Sequence, residues 1–307
     1  MIFAWLRQEG RADERTKVYG YTRSWSKYGA ALSVVLAAFF VYQSNSYTYV
    51  FYFTIVPYLI GIVNFMSYPR ELDGQDKKDT SLSRIFLHLK ESFIDVFARA
   101  RLRRLILESM GFQGIFETTR DYLQPVLRTA ALATAVHWGV TTEMSDIQQT
   151  TLLVGPVYFV LYLLSGIASR QASRITVMAG GEQRAIRMMW GAGTLIFIGI
   201  GVAAYYQSHT TLIIGFVLLD TLQNCWRPVQ LSRFDAHSQE AQGATVLSIE
   251  SQARHATTMI TAPLLGLVID MVRTQSDGGI FWPVGVLGSV VFLSFFLTMQ
   301  GARNSVD

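Results

Sequence analysis

The sequence predicts an all-α polytopic protein that crosses a membrane about eight times. Half of its 307 residues are hydrophobic and only 16% are charged, whereas soluble domains carry about 25% charged residues. Apolar segments of about 20 residues, the length that crosses roughly 30 Å of hydrocarbon, recur along the chain. The approximate bounds of these segments are 25–43, 47–67, 105–132, 150–168, 188–206, 210–229, 243–271 and 279–299.

The Lys and Arg residues between these spans are concentrated on one side. Residues 1–27 hold six of them, 68–104 hold nine and 169–187 hold four, whereas the turn at 43–47 holds none. Cytoplasmic loops of membrane proteins carry such an excess of basic residues. The alternation predicts a multi-pass protein of the cell inner membrane, surrounded by the lipid bilayer, with both termini in the cytoplasm.

The longest polar stretch, residues 68–104, divides the chain into two groups of spans. Its second part combines an apolar side with basic flanks. This pattern predicts either an amphipathic helix on the cytoplasmic membrane surface or a solvated linker helix. Residues 1–67 hold two spans before this central loop, and residues 105–307 hold six spans after it.

Nothing in the sequence predicts an enzyme, a cofactor or a metal site. The five histidines are scattered without ligand spacing, and neither a phosphate-binding loop nor a metalloprotease motif occurs. The single cysteine, Cys225, leaves neither an internal disulfide nor a thiolate metal cluster. The net charge of +4 comes from short basic runs between apolar segments, which indicates membrane topology and no nucleic-acid partner.

The third span carries polar residues at a depth where a membrane core is expected. Their spacings of three and four place them on one face of a helix. These residues are Gln113, Glu117, Arg120, Asp121, Gln124 and Arg128. Charges at this depth are costly unless they face a partner or a water-filled cavity.

Two interpretations of this polar face stay open. In the first, it binds substrate or couples protons, with one carboxylate paired with Arg120 while the other titrates. In the second, it is an intramembrane salt bridge that stabilises packing. Asp220 and Gln223 on the sixth span are further candidates for substrate or proton binding.

The seventh span predicts a kinked helix that packs closely through many small residues. Pro263 and Gly266 break or kink its outer part, and Asp270 ends it. Kinked spans that hold polar side chains are typical of transporters, and a merely packed span with a proline kink is the alternative. Glu250 and Arg254 lie four residues apart, which predicts an ion pair within this helix.

Three segments together carry a family resemblance. The first pattern runs through Arg227, Pro228, Ala244, Thr245, Val246, Leu247, Ser248, Ser251, Pro263, Leu264, Gly266 and Asp270. It resembles helices ten and eleven of bacterial major facilitator superfamily transporters, although Gly243 stands where these relatives often carry arginine. Residues 9–29 look like the loop before the fifth helix of the same superfamily. Gly166 to Arg170 is similar to the second copy of its loop signature, without the aspartate.

The resemblance covers nearly the whole chain and implies a secondary active transporter. Such a protein moves a small-molecule substrate by alternating access around a midplane site, and the resemblance implies H⁺ as the coupling ion. Structural or gating roles are expected for the motif residues and the predicted ion pair. These residues are Arg227, Pro228, Ser248, Glu250, Arg254, Pro263, Gly266, Asp270, Gly166 and Arg170.

The resemblance also implies that the two halves are unequal. The C-terminal six-helix half is expected to be complete, while the N-terminal half holds only helices five and six. The first four helices are then missing, through a truncated gene model or a deletion. The alternative function is a membrane protein that does not transport, either a truncated product or an interaction subunit that pairs with a missing N-terminal half or another chain.

Overall fold

The computed structural model describes residues 2–67, 93–94, 96–127, 129, 145–238, 243–275 and 279–301. Within these ranges the regular structure is helical throughout. The helices are α1 (Ile2–Gln8), α2 (Arg15–Ser44), α3 (Thr48–Phe53), α4 (Ile55–Met66), α5 (Ala100–Ser109), α6 (Ile115–Arg120), α7 (Asp146–Met178), α8 (Glu182–Tyr205), α9 (His209–His237), α10 (Gly243–Gln275) and α11 (Trp282–Gly301). Most of the predicted central loop lies outside the described residues, so the division into domains stays a prediction.

Six helices in the described ranges are long and apolar enough to cross a membrane. Their bounds are Ala12–Ser44, Thr48–Met66, Ile147–Met178, Glu182–Tyr205, Gly243–Thr274 and Trp282–Met299. They correspond to six of the eight predicted spans. The other two predicted spans hold polar residues: 210–229 lies in α9, and 105–132 begins in α5. The all-α polytopic architecture is thus confirmed.

Two helices extend well beyond the spans that hydropathy marks. The helix α2 begins at Arg15, within residues that the sequence assigned to a cytoplasmic loop. The helix α9 continues to His237, through most of the predicted loop at 227–242. At 1.5 Å per residue, the 29 residues of α9 are about 44 Å long, more than the hydrocarbon thickness. Basic residues therefore lie on helices at positions that charge counting assigned to loops.

The helices α2 and α7 are in direct backbone contact. A β-carbon at Gly20 on α2 would overlap the backbone carbonyl oxygen of Ser169 on α7. A β-carbon at Gly166 on α7 would overlap the ring of Tyr28 on α2. Glycines at such positions let transmembrane helices approach closely, where van der Waals contact drives their association. This contact attaches α2 to the helices that follow residue 100.

An aromatic core holds those later helices together. The ring of Phe112 stacks on Trp226 with centroids 4.3 Å apart, and Trp190 stacks on Phe295 with centroids 4.6 Å apart. Phe292 contacts both Phe112 and Trp190. Phe112 belongs to a π-helical turn, Met110–Gly114, that joins α5 to α6. The core therefore anchors the irregular segment that carries the polar residues of the candidate site.

The helices α3 and α4 present a largely exposed apolar surface. No part of Thr48–Met66 is buried by the described chain, and Phe51, Tyr58 and Met66 are among its most exposed side chains. Lipid tails are as apolar as these side chains. The surface therefore suits a bilayer better than water.

Candidate functional site

A continuous set of polar contacts crosses the interior between α2, α6, α7, α9 and α10. We call it the polar network. Its members are Ser165, Asp220, Asn224, Arg23, Gln223, Gln113, Glu117 and Arg254. These residues come from segments far apart in sequence, so only the tertiary fold brings them together.

One end of the polar network lies at Asp220, near the middle of α9. The hydroxyl of Ser165 on α7 donates a hydrogen bond to Asp220 Oδ2. Asn224, one turn along α9, donates through Nδ2 to the same oxygen at 3.0 Å. Asp220 and Asn224 are both buried. One oxygen of the Asp220 carboxylate thus accepts hydrogen bonds from two neutral donors, which do not neutralise its charge.

Arg23 on α2 links this end to the rest of the polar network. Its Nε donates to Asn224 Oδ1 at 3.1 Å, and a terminal nitrogen donates to Gln223 Oε1 at 3.4 Å. Gln223 donates through Nε2 to Gln113 Oε1 at 2.7 Å. Gln113 then donates through Nε2 to Glu117 Oε1 at 3.2 Å. Three predicted site residues are therefore in contact, and Arg23 is a member that the sequence did not single out.

The other end of the polar network is an ion pair between α6 and α10. A terminal nitrogen of Arg254 lies 3.1 Å from Glu117 Oε1. His255 Nδ1 lies 3.8 Å from the second oxygen of Glu117. Glu117 was expected to share its face with Arg120, but its cationic partner is Arg254. Both members of this ion pair remain partly accessible, so solvent or a solute can reach them.

The predicted ion pair between Glu250 and Arg254 is wrong. Glu250 instead pairs with Arg227 on α9 through two parallel contacts of 2.7 and 3.0 Å, and it accepts a hydrogen bond from Ser109. Such a two-pronged geometry is the strongest form of the arginine–carboxylate interaction. Arg254 pairs with Glu117. Spacing along one helix cannot show that a neighbouring helix offers a better partner to each residue.

The polar face predicted for residues 113–128 divides into two parts. Gln113 is buried within the polar network. Arg120, Asp121 and Gln124 are exposed, and the Arg120 guanidinium lies 5.9 Å from the centroid of the Phe116 ring. A π-helical turn and a break after Arg120 interrupt the α-helix whose regular spacing the prediction assumed. Arg128 lies outside the described residues.

A second group of polar contacts joins the beginning of α2 to α8 and α9. We call it the helix-end cluster, formed by Arg15, Asp235, Thr16, Glu182 and Ser232. Arg15 lies 2.9 Å from Asp235. Glu182 Oε1 accepts hydrogen bonds from Thr16 at 3.3 Å and from Ser232 at 2.8 Å. Charge counting along the sequence assigned Arg15 to a cytoplasmic loop, and no pattern along the chain indicated the contacts of this cluster.

Three motif residues, Gly166, Arg170 and Pro228, lie on α7 and α9. The guanidinium of Arg170 lies 4.8 Å from the centroid of the Tyr21 ring on α2, a distance at which a cation is attracted to an aromatic face. Pro228 lies inside α9 and is buried. The contacts of Gly166 and Arg170 join α7 to α2, and Pro228 on α9 lies close to Gly20 of α2.

Four further motif residues lie on α10, with Ser248 near its start and Pro263, Gly266 and Asp270 in its second half. Ser248, Pro263 and Asp270 are exposed, and Gly266 lies near the hydroxyl of Tyr122. The helix continues past Asp270 for more than a turn. The expectation that Asp270 ends the helix is therefore wrong. Pro263 lies inside an otherwise continuous helix, as the predicted kink requires.

The polar network has the chemistry to bind a polar solute and to hold a proton. It combines two carboxylates, two guanidinium groups and three side-chain amides, and an amide can both donate and accept hydrogen bonds. The amide side chains can therefore exchange one hydrogen-bond partner for another. In the described ranges, no group of three or more His, Cys, Asp or Glu side chains is placed to hold a metal ion.

Comparison with known protein families identifies the chain. The family model of the Major Facilitator Superfamily matches residues 1–261. Neither a curated protein nor a solved structure matches the chain. The family match covers most of the chain and agrees with a fold of many apolar membrane-length helices. The chain therefore belongs to the major facilitator superfamily, a family of multi-pass membrane transporters.

Proposed function

We propose that the protein is an H⁺-coupled secondary transporter that moves a small solute by alternating access through the polar network. The observation that carries the proposal is the continuity of this network from Asp220 through Arg23 to Glu117. Intramembrane ionisable residues that face a bundle interior typically mark substrate and proton pathways. The proposal also places the protein in the inner membrane, with both termini in the cytoplasm.

Alternating access requires α2 to move relative to the later helices. Arg23 contributes the contacts of α2 within the polar network, to Asn224 and Gln223. At the end of α2, Arg15 pairs with Asp235. Both groups of contacts must break when the two halves rock apart. Charge changes at these positions can therefore set which conformation is populated.

Proton coupling is assigned to Glu117 and Asp121. The charge of Glu117 attracts Arg254 on α10, and protonation removes this attraction. Asp121 is exposed next to Arg120, so water can reach its carboxylate. Binding of H⁺ at either carboxylate would then alter the contacts between helices, which is the physical link that coupled transport needs.

The test is solute flux into proteoliposomes that contain the full chain and a pH-sensitive dye. We expect uptake of a solute from a panel of sugars, amino acids and organic acids to be accompanied by H⁺ movement. Glu117→Gln or Asp121→Asn should abolish the H⁺ movement, and Glu9→Gln, which changes an exposed carboxylate outside the network, should preserve it. If both Glu117→Gln and Asp121→Asn retain H⁺-coupled flux, the two carboxylates are structural and the coupling proposal fails.

The alternative is an interaction subunit that does not transport. The observation behind this alternative is the largely exposed apolar surface of Thr48–Met66, which another chain can cover in place of lipid. The same flux assay separates the two functions. An interaction subunit gives no flux with any solute, and it should be recovered from native membranes in a complex that depends on this surface.

A further inference from the structure

A basic cavity lies at the beginning of α8, beside the turn that joins α7 to α8. We call it the arginine cavity. Arg184 and Arg187 line it, together with Gly180 of the turn and Met299 near the end of α11. Its volume is about 420 Å³, which lies within the range of small-molecule clefts, about 300–1,000 Å³. The cavity is therefore large enough to hold the polar group of a ligand.

The two arginines of the cavity are not paired with each other's neighbours. Arg184 and Arg187 lie three residues apart on α8, so they share one face of the helix. The Arg184 guanidinium lies over the turn, because a β-carbon at Gly180 would be 3.0 Å from its Nη1 atom. In the described ranges, neither arginine forms a hydrogen bond or an ion pair. Two guanidinium groups in one cavity are therefore available to an anion.

The other polar side chains of the lining, Glu182 and Gln183, belong to contacts outside the cavity. Glu182 Oε1 accepts hydrogen bonds from the helix-end cluster, through Thr16 and Ser232. Gln183 Oε1 accepts a hydrogen bond from Arg233 at 3.1 Å, which leaves the amide N–H groups of Gln183 as donors for a ligand. The lining thus offers two guanidinium groups and an amide against one carboxylate, and this combination favours an anionic ligand.

An exposed apolar surface continues from the arginine cavity along α8. It is formed by Met188, four residues after Arg184, and by Leu195, Ile198 and Val202, which lie on the same helix face. We call it the apolar stripe; its side chains are between 48 and 71% exposed. At 1.5 Å per residue the stripe is about 21 Å long, more than the roughly 15 Å of hydrocarbon in one leaflet. One acyl chain can therefore lie along the stripe while its headgroup occupies the cavity.

The location of the cavity indicates which anion it binds. Since α8 is long and apolar enough to cross the membrane, its first turns lie at the level of the lipid headgroups. Arginine binds phosphate through parallel N–H donors, and basic pockets between membrane helices bind phospholipid headgroups. We propose that the arginine cavity binds the headgroup of an anionic phospholipid through Arg184 and Arg187, with an acyl chain on the apolar stripe. A choline headgroup would bring a further cation to the two arginines. The site goes beyond the transport function and needs no particular orientation of the chain.

The test is the lipid that the purified full chain retains from nanodiscs of phosphatidylcholine and phosphatidylglycerol, mixed equally and with identical acyl chains. Native mass spectrometry measures how much of each lipid stays bound. We expect phosphatidylglycerol to be retained in preference. A basic residue near a membrane surface contributes about fivefold to the binding of an anionic lipid. Arg184→Gln and Arg187→Gln should therefore each reduce the preference about fivefold, and the double variant should reduce it about 25-fold.

Two control variants accompany these substitutions. Arg174→Gln removes an exposed arginine from α7 that donates to Gln171 and does not line the cavity, so it should keep the wild-type preference. Arg187→Lys keeps the positive charge and should retain most of the preference. The unfolding temperature in pure phosphatidylcholine nanodiscs shows whether each variant is folded. If the double variant does not fold, the two single variants provide the measurement.

A soluble phosphate compound offers the same oxygens without an acyl chain. Inorganic phosphate and glycerol 3-phosphate are therefore added to the chain in phosphatidylcholine nanodiscs, and we expect neither to raise the unfolding temperature. A rise that needs Arg184 and Arg187, without a preference for phosphatidylglycerol, would assign the cavity to a soluble phosphate and overturn the lipid proposal. Equal retention of both lipids, or a wild-type preference in the folded double variant, would also overturn it. So would an equally large loss in Arg174→Gln, which indicates unspecific attraction to surface charge.

Discussion

The buried pair of Arg227 and Glu250 should be essential for stability. Glu250 is 1% exposed and meets Arg227 through contacts of 2.7 and 3.0 Å. Glu250→Gln preserves the shape of the side chain and removes its charge, which leaves the Arg227 guanidinium without a counter-charge. Removing one partner of a buried ion pair destabilises a protein by about 3–5 kcal/mol. We expect a loss of free energy of unfolding in this range.

A double-mutant cycle measures this effect directly. The free energy of unfolding is determined in mixed micelles for Glu250→Gln, Arg227→Met and the double variant. The double variant leaves no isolated charge. Its loss of unfolding free energy should therefore be smaller than the sum of the two single-variant losses, by about 0.5–3 kcal/mol. As a control, Glu14→Gln breaks the ion pair of Arg11 and Glu14, whose atoms are 2.7 Å apart on the exposed surface. Its free energy of unfolding should equal that of the wild type, since exposed ion pairs contribute little to stability.

The reasoning would be refuted by either of two results. If the free energy of unfolding of Glu250→Gln lies within about 0.5 kcal/mol of the wild-type value, removing the Glu250 charge costs no more than an ordinary surface substitution. If the two single losses add without coupling, Arg227 and Glu250 do not stabilise each other. In either case the two residues would have to be held by contacts other than their ion pair.

Three other predictions concern helix packing and topology. Gly20→Ala should reduce both the unfolding temperature and flux, because the new methyl group meets the α7 backbone; unchanged flux would show that α2 can shift freely. Gly285→Ala should reduce the free energy of unfolding by about 1–3 kcal/mol through overpacking, because the new methyl group meets the α8 backbone. A methyl group at Gly199 meets open space, so Gly199→Ala should cause no such loss. With the native cysteine buried, an impermeant maleimide should label Gln43→Cys on intact cells and Glu9→Cys only after lysis; the reverse pattern would invert the topology.

Hydropathy and charge were sufficient to predict the all-α multi-pass fold. Six of the predicted spans correspond to helices long and apolar enough to cross a membrane. The bilayer imposes this correspondence, because a spanning helix needs about 20 apolar residues whatever it packs against. Residues within α9 such as Asp220 and Gln223 were recognised as candidates because polar groups inside a span are expensive. Their burial in the structure agrees with that reasoning.

Another member of the site, Arg23, could not be recognised from the sequence. Arg23 was counted among the basic residues of a cytoplasmic loop, because a charge count does not show that α2 begins at Arg15. The contact from Arg23 to Asn224 joins residues 201 positions apart. A pairing over such a distance leaves no periodic pattern in the sequence.

The sequence by itself determined that the chain is a helical membrane protein that resembles the transporter superfamily, and it identified several charged residues within the predicted spans, such as Glu117, Asp220 and Arg254. Only the tertiary structure decided which of these charges meet. Glu117 pairs with Arg254 and Glu250 with Arg227, although spacing favoured other partners. Helical periodicity defines the residues that share a face, but the partner of a charge is set by the neighbouring helix that faces it. That arrangement depends on close helix contacts and on a π-helical turn, both of which are properties of the packed molecule.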